Sequence, residues 1–228
     1  MKKNIVVLTG AGISAESGIK TFRDADGLWE EHDIMEVASP EGFIKNPKLV
    51  LDFYNQRRQQ LKNVLPNQAH KDLVSLETNY NVSIITQNVD DLHERAGSSN
   101  VLHLHGELRK VRSTKNENDI KPWAEDINLG DNCKNGYQLR PHIVWFGEAV
   151  PMIENAIEIC HTADILIIIG TSMQVYPAAS LIDYVQPNIP IYYIDPKPAI
   201  SNTTKVTVIA KSATEGMRDI MQLLEVNS

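Results

Sequence analysis

The apolar run Ile5-Val6-Val7-Leu8 leads almost directly into Gly10-Ala11-Gly12-Ile13-Ser14-Ala15, and this junction constrains the fold more than any other feature. Four consecutive apolar residues leave a strand with no polar face. Such a strand must be covered on both sides, as the strands of parallel sheets are. Gly10, Gly12 and Ala15 fit the G-x-G-x-x-(G/A) spacing of a phosphate turn between strand and helix. Glycine permits the tight turn and the close approach of a pyrophosphate, and the helix that follows presents free N–H groups. The spacing alone is a weak signal. A dehydrogenase would continue into a second strand ending in Asp or Glu about 20 residues on. Here Thr21–Trp29 instead reads as a polar-aromatic loop, either plain surface or a lid with Phe22 and Arg23 turned inward.

Similar apolar runs recur at Val82–Thr86, Val101–Leu104, Ile165–Ile169, Ile191–Ile194 and Val206–Ile209. Helical patterns lie between several of them, over Asn67–Tyr80, Met152–His161, Ala178–Val185 and Ala213–Leu224. This alternation predicts an α/β fold, a doubly wound parallel Rossmann-type sheet with a smaller inserted domain. Residues 30–63 carry helical patterns, and 108–140 are polar and turn-rich. Together they are assigned to the small domain. Residues 1–29, 64–107 and 141–228 form the large one, with a ligand cleft expected between the two.

With 22 Lys and Arg against 29 Asp and Glu, the net charge is −7. That argues against a nucleic-acid partner. The longest apolar run, Ile165–Ile169, is too short to span a membrane. Met1-Lys2-Lys3-Asn4 leads into no signal-peptide hydrophobic region, because Gly10 and Gly12 interrupt it. Cys133 and Cys160 are the only cysteines. They permit neither a disulfide framework nor an all-cysteine zinc site. A reducing, cytoplasmic setting is the expectation.

Polar residues gather at strand ends. Thr86-Gln87-Asn88-Val89-Asp90-Asp91 could face a ligand or cap a helix. His103 and His105 share a strand face by the two-residue period. They read either as a metal pair without an obvious third ligand, or as one structural histidine and one general base. His105, beside Gly106, is nearer the cleft mouth. Gly170-Thr171-Ser172 could bind phosphate or ribose, or simply turn the chain. Asp195 could accept from ribose hydroxyls or begin a turn before Pro196.

The chain resembles the sirtuins, NAD-dependent protein-lysine deacylases. The resemblance is carried by GAGISAESGIKTFR at 10–23, TQNVDDLHERAG at 86–97, HLHGEL at 103–108, RPHIVWFGE at 140–148, GTS at 170–172 and VYPAA at 175–179. These segments run in family order through nearly the whole chain. The resemblance implies NAD as cofactor and acylated lysine side chains of proteins as partner. The products it implies are nicotinamide, free lysine and O-acyl-ADP-ribose. By motif, Gly10, Ala11, Gly12, Ile13, Ser14, Phe22 and Arg23 would hold the pyrophosphate and cover the nicotinamide. Gln87, Asn88 and Asp90 would line the nicotinamide and ribose pocket. His105 would be the general base, and Asn88 would position a water. Gly170, Thr171 and Ser172 would bind the phosphate and ribose end, with Asp195 (usually Asn in the family) and Ala213 on the adenosine side. The substrate backbone would add as a strand near residues 146–150.

Tyr54 and Arg57 match the Tyr-x-x-Arg signature of the branch that removes succinyl and malonyl groups. They share a helix face, and arginine offers a planar fork to a carboxylate. Arg58, about 100° further round, should matter less. The zinc site departs from the family. Ser113 and Asn116 stand where its first cysteine pair is expected, and only Cys133 lies in the interval. No structural zinc is expected, with packing through Trp123 and Ile127 in its place. Two alternatives share the scaffold: an ADP-ribosyltransferase, and a non-catalytic NAD-binding module.

Overall fold

The computed structural model describes residues 2–20, 28–29 and 32–226. Phe22 and Arg23 lie outside these. Along the chain, β1 (Asn4–Thr9) leads through a one-turn helix α1 (Gly12–Ala15) to the short pair β2 (Leu28–Trp29) and β3 (His32–Asp33). Within Thr21–Trp29, read from the sequence as loop throughout, Leu28 and Trp29 thus pair antiparallel with Asp33 and His32. Three helices follow: α2 (Ile34–Val37), α3 (Pro40–Lys45) and α4 (Pro47–Leu61). Proline opens the last two at N1, where its missing N–H costs nothing. Ser39 and Asn46 cap them by accepting from Gly42 N and Leu49 N. Next come α5 (Gln68–Leu76), β4 (Asn81–Thr86), α6 (Leu92–Ala96) and β5 (Val101–His103). After them lie β6 (Gly106–Ser113), β7 (Ile120–Pro122) and β8 (Leu139–Ile143). The chain finishes with α7 (Ile153–His161), β9 (Ile165–Ile169), a 3-10 helix (Ala178–Tyr184), β10 (Ile191–Ile194), β11 (Val206–Ile209) and α8 (Ala213–Val226).

Six strands form one parallel sheet in the order β11-β10-β9-β1-β4-β5. They are the six apolar runs of the sequence. Both faces are covered, and side chains divide between them with period 2. Ile5, Val7, Ile165, Ile167 and Ile169 pack beneath α5 and α8, through Leu73, Met217 and Ile220. Val6, Leu8, Leu166 and Ile168 face the other way, toward Ala156 and Cys160 of α7 and Leu181 of the 3-10 helix.

The smaller inserted part is a three-stranded antiparallel sheet, β7-β6-β8. Polar, turn-rich sequence at 108–140 thus conceals real strands, because only one face of this sheet is apolar. Val111 and Leu139 pack on Leu51 of α4 together with Ile127 and Cys133. Trp123 packs against the edge of this cluster while Ile127 sits within it, as the packing expectation held. Gly106 opens β6; it does not close the strand that carries His103.

Candidate active site

The chain winds from β1 to β4 and β5 on one side, then returns to β9, β10 and β11 on the other. The topological switch therefore falls between β1 and β9, where open α/β sheets bind ligands beyond their carboxyl ends. Two turns meet there. Gly10 N donates to Ile169 O at 3.0 Å, and Gly12 N to Gly170 O at 2.8 Å. A Cβ on Gly12 would lie 2.5 Å from the Gly170 Cα, and one on Gly10 would lie 2.8 Å from the Gly170 carbonyl oxygen. Gly170 itself has φ +62°, a value L side chains rarely adopt. The glycines are needed for turn against turn. This adds a second reason for them to the sequence argument that they make room for a pyrophosphate.

A cavity of about 530 Å³ opens over this junction. Its walls bring together most of the candidate residues: Gly10, Ala11, Gly12, Tyr54, Arg57, Gln87, Asn88, Asp90, His105, Gly170, Thr171, Ser172, Asp195 and Ala213. Ile13 and Ser14 do not line it. Ile13 belongs to the core under the sheet. Ser14 is buried behind the wall, where its hydroxyl donates to Asp90 Oδ2 at 3.1 Å and accepts from Asn88 Nδ2 at 3.2 Å.

That network sets the chemistry of the inner end. Asp90 also accepts from Leu92 N at 3.2 Å, so its carboxylate begins α6 as well as facing the cavity. Burial raises its pKa to about 6. Gln87 Nε2 donates to Thr171 Oγ1 at 3.0 Å, tying the β4 end to the β9 end. His105 Nδ1 lies 3.1 Å from the Gln87 carbonyl oxygen, which can only accept. Nδ1 therefore carries the proton, and Nε2 keeps a lone pair. Burial lowers the His105 pKa, which favours the neutral ring.

His103 is the opposite case. Nδ1 bonds the Asn88 carbonyl at 3.0 Å and Nε2 bonds Glu94 Oε1 at 2.8 Å, two acceptors for one ring. Burial works against its charge, but the Glu94 carboxylate outweighs burial and the pKa is raised. With both nitrogens engaged, the metal-pair reading of His103 and His105 has no ligand set. Among the described residues no group of three His, Cys, Asp or Glu could hold a metal.

At the other end, Tyr54 is fully buried and its hydroxyl accepts from Trp145 Nε1 at 3.0 Å. Burial raises its pKa, which keeps the phenol protonated. Arg57 lies one helical turn on, its Nη1 donating to the Phe53 carbonyl at 2.7 Å and its guanidinium 3.9 Å from the Phe53 ring centroid. Arg58 faces away from the cavity. It is buried, donating to Leu108 O at 3.1 Å and Asn55 Oδ1 at 2.6 Å. Its side chain joins α4 to β6.

The residues of the inserted sheet do not fit a zinc ion. Cys133 Sγ lies 3.5 Å from Ser113 Oγ, so one thiol and one hydroxyl meet at that place. Asn116 is exposed, and its amide oxygen caps the Asn118 N–H. Three residues after Cys133 stands Gly136, with no side chain to offer. Sequence reasoning gave no role to Trp145 or Glu16, and for His103 the structural alternative is the one the geometry bears out. Trp145 lay inside a recognised motif, but its contact with Tyr54 spans 91 positions. Glu16 accepts from Thr214 N and Oγ1, clipping the first turn to α8.

A Sir2 family model matches residues 10–177. An NAD-dependent protein deacylase of Helicobacter pylori is 63% identical over 228 residues, 99% of this chain and 100% of that protein. A Sir2 homolog solved as its NAD complex has a TM-score of 0.88 at 40% identity, covering 99% of this chain and 91% of its own. A Sir2 mutant solved with a p53 peptide and NAD has a TM-score of 0.80 at 28% identity, covering 99% and 94%.

Proposed function

The chain belongs to the Sir2 family, and on that premise we propose that it is an NAD-dependent protein deacylase that takes acylated lysine side chains of proteins. The observation that carries the reading is His105 on the cavity wall, its Nδ1 proton fixed on the Gln87 carbonyl and its Nε2 lone pair left over. A relative 63% identical carries that activity in its name, and a less similar Sir2 protein holds a peptide beside NAD.

The donor set suits a dinucleotide. Buried Asp90 and Asn88 match an amide and a ribose, and buried Asp195 gives a hydroxyl acceptor at the far end of the cavity. NAD, when bound, supplies an electrophilic ribose carbon and nicotinamide as its leaving group. His105 takes a proton at Nε2 from a hydroxyl presented at the wall. Asn88, held by Ser14, orients a water. Asp90 accepts from an amide, and a pH above about 6 favours the ionised form that leaves both its oxygens as acceptors. Ser14 acts through Asp90 and Asn88, as a positioning residue.

The finer assignment is to acidic acyl groups, succinyl and malonyl, with acetyl also accepted. Its support is that Tyr54 and Arg57 share one wall. The division into residues 1–29, 64–107 and 141–228 against 30–63 and 108–140 belongs to the same proposal, as does a cytoplasmic location. Among the described residues no helix is long and apolar enough to cross a membrane.

Mass spectrometry of products from NAD and one peptide carrying succinyl-, malonyl- or acetyl-lysine tests the reading. Free lysine peptide with O-acyl-ADP-ribose is expected. ADP-ribosylated protein without deacylation, or no turnover, would overturn it. His105→Ala should lower turnover about 10²- to 10⁴-fold while NAD still binds. Near wild-type turnover would remove His105 from the mechanism.

A further inference from the structure

The strongest chemistry outside the main cavity lies where β6 and β8 meet. Arg112 and Arg140 are directly opposite in the antiparallel register, so their side chains leave on one face. Like charges so placed repel. A single carboxylate, Glu148, lies between them. Arg112 Nη2 donates to Oε2 at 2.9 Å, and Arg140 donates Nη1 to Oε1 at 2.6 Å and Nη2 to Oε2 at 3.1 Å. The Trp145 amide adds a fourth donor at 2.8 Å. Three of these bonds end on Oε2 and one on Oε1, so a single carboxylate is shared between both guanidiniums and the amide.

The two arginine side chains are only 7% and 9% exposed. Two positive charges against one negative leave a surplus in a place poorly reached by water, which favours a further counter-charge. Donors remain to meet one. Arg140 Nε has no hydrogen-bond partner among the described residues, but it is buried from solvent, so the donors that can meet a bound anion are those of Arg112 and Lys115. Arg112 makes its hydrogen bonds, among the described residues, through Nη2. Both guanidiniums line a cavity of about 390 Å³, closed by Glu148 and the 113–118 loop. Exposed Lys115 stands on that loop, and exposed Glu117 is the other acidic residue of the wall. The balance is positive by one in a chain whose net charge is −7.

We propose that this cavity binds one small oxyanion. Glu148 also lines the main cavity, so the anion sits next to the proposed polypeptide channel. Two sources share the chemistry: the carboxylate of an acidic residue flanking the modified lysine, and free inorganic phosphate. The first rests on the deacylase reading; the site does not.

Two measurements on the intact protein decide the matter. Inorganic phosphate is titrated by calorimetry at constant ionic strength into the wild type, Arg112→Gln and Lys115→Glu. Saturable binding is expected, weakened about fivefold or more by either variant. Separately, kcat/KM is compared for acyl-lysine peptides differing only in Glu or Gln beside the lysine. The wild type should favour Glu about fivefold, and Lys115→Glu should not. A peptide preference lost in the variants assigns the site to an acidic side chain. Variant-sensitive phosphate binding without that preference assigns it to the free anion. Absence of both, or phosphate binding equally to all three proteins, would overturn the proposal. Lys115→Glu changes an exposed side chain, so it decides the matter even if Arg112→Gln does not fold. Turnover of neither peptide would sink the deacylase reading, while the phosphate titration would still judge the site.

Discussion

His103 and His105 stand two positions apart in the sequence and end in opposite states. Glu94 and the Asn88 carbonyl accept both protons of His103, whereas the Gln87 carbonyl takes only Nδ1 of His105. Alternation assumed one strand for both, but β5 ends at His103 and His105 lies beyond it; only the acceptors gathered from other elements told which is a base. Arg57 and Arg58 make the same point on a helix. Arg57 reaches the cavity and Arg58 is locked between α4 and β6. Arg57→Met should therefore lose desuccinylation about ten- to a hundredfold more than deacetylation, the scale of one charge-assisted hydrogen bond. Steady-state kcat/KM on matched succinyl- and acetyl-lysine peptides measures it. Equal losses on both would mean that Arg57 serves the fold or NAD, and the acidic-acyl assignment would go. Arg58 was expected to matter less than Arg57; for acyl choice that still follows, but its burial makes it a stability residue. Burial lowers its pKa to about 10, which still leaves it charged at neutral pH.

At the scale of elements, the question is what fastens the inserted sheet when its residues cannot hold a metal. Asn55 of α4 supplies a large part. Its Nδ2 donates to Ile127 O and its Oδ1 accepts from Ile127 N, both at 2.9 Å, so one side chain pairs a buried backbone position like a strand neighbour. The same Oδ1 accepts from Arg58. Asn55→Ala strips all three bonds and leaves buried groups unsatisfied, at a cost of about 3 kcal/mol. EDTA should leave the wild-type melting temperature unchanged. Circular-dichroism melts, with and without chelator, measure both. A neutral Asn55→Ala would mean that packing alone fastens the sheet. A chelator-induced drop would mean that a metal contributes after all. The two bonds to Ile127 were not legible in the sequence, because Asn55 and Ile127 are 72 positions apart. The apolar half of the attachment was legible, since Ile127 stood out as an apolar residue in a polar stretch.

For the whole molecule, the same burial that makes the sheet core also encloses titratable groups. His70 of α5 and His93 of α6 are buried with ring centroids 4.9 Å apart. His70 Nε2 and His93 Nδ1 have no hydrogen-bond partner. Burial lowers the His70 pKa to about 4 and that of His93 well below the ordinary value. Between about pH 6.5 and pH 4 the unfolded chain binds protons that the native state refuses, so these rings cost stability as pH falls. Asp90, with its folded pKa raised to about 6, takes up its proton earlier in the native state and opposes this; so does His103 with its raised pKa. The His70 contribution is isolated by His70→Asn, which removes the titrating ring. Going from pH 7 to pH 5, the variant should lose about 2 kcal/mol less stability than the wild type. Denaturant midpoints at the two pH values read this, and equal losses would show that His70 is not the titrating group.

The sequence by itself determined the sheet. Six apolar runs became six parallel strands, because a strand apolar on both faces has no stable place except between two layers. It also determined that the strand-end motifs would meet, since in such a sheet every carboxyl end points the same way. Tertiary structure alone decided what each polar group became. Ile13 went to the core and Ser14 behind the wall, although both sit inside the most legible motif. Gly12 proved to be required by Gly170, 158 positions away. Residues 108–140 read as a polar, turn-rich part of a small domain, and three strands run through and beside its turns, because a sheet that buries one face needs few apolar residues to do so. Hydrogen bonding and charge depend on distance between atoms, and periodicity along a chain carries no information about which distant atoms arrive.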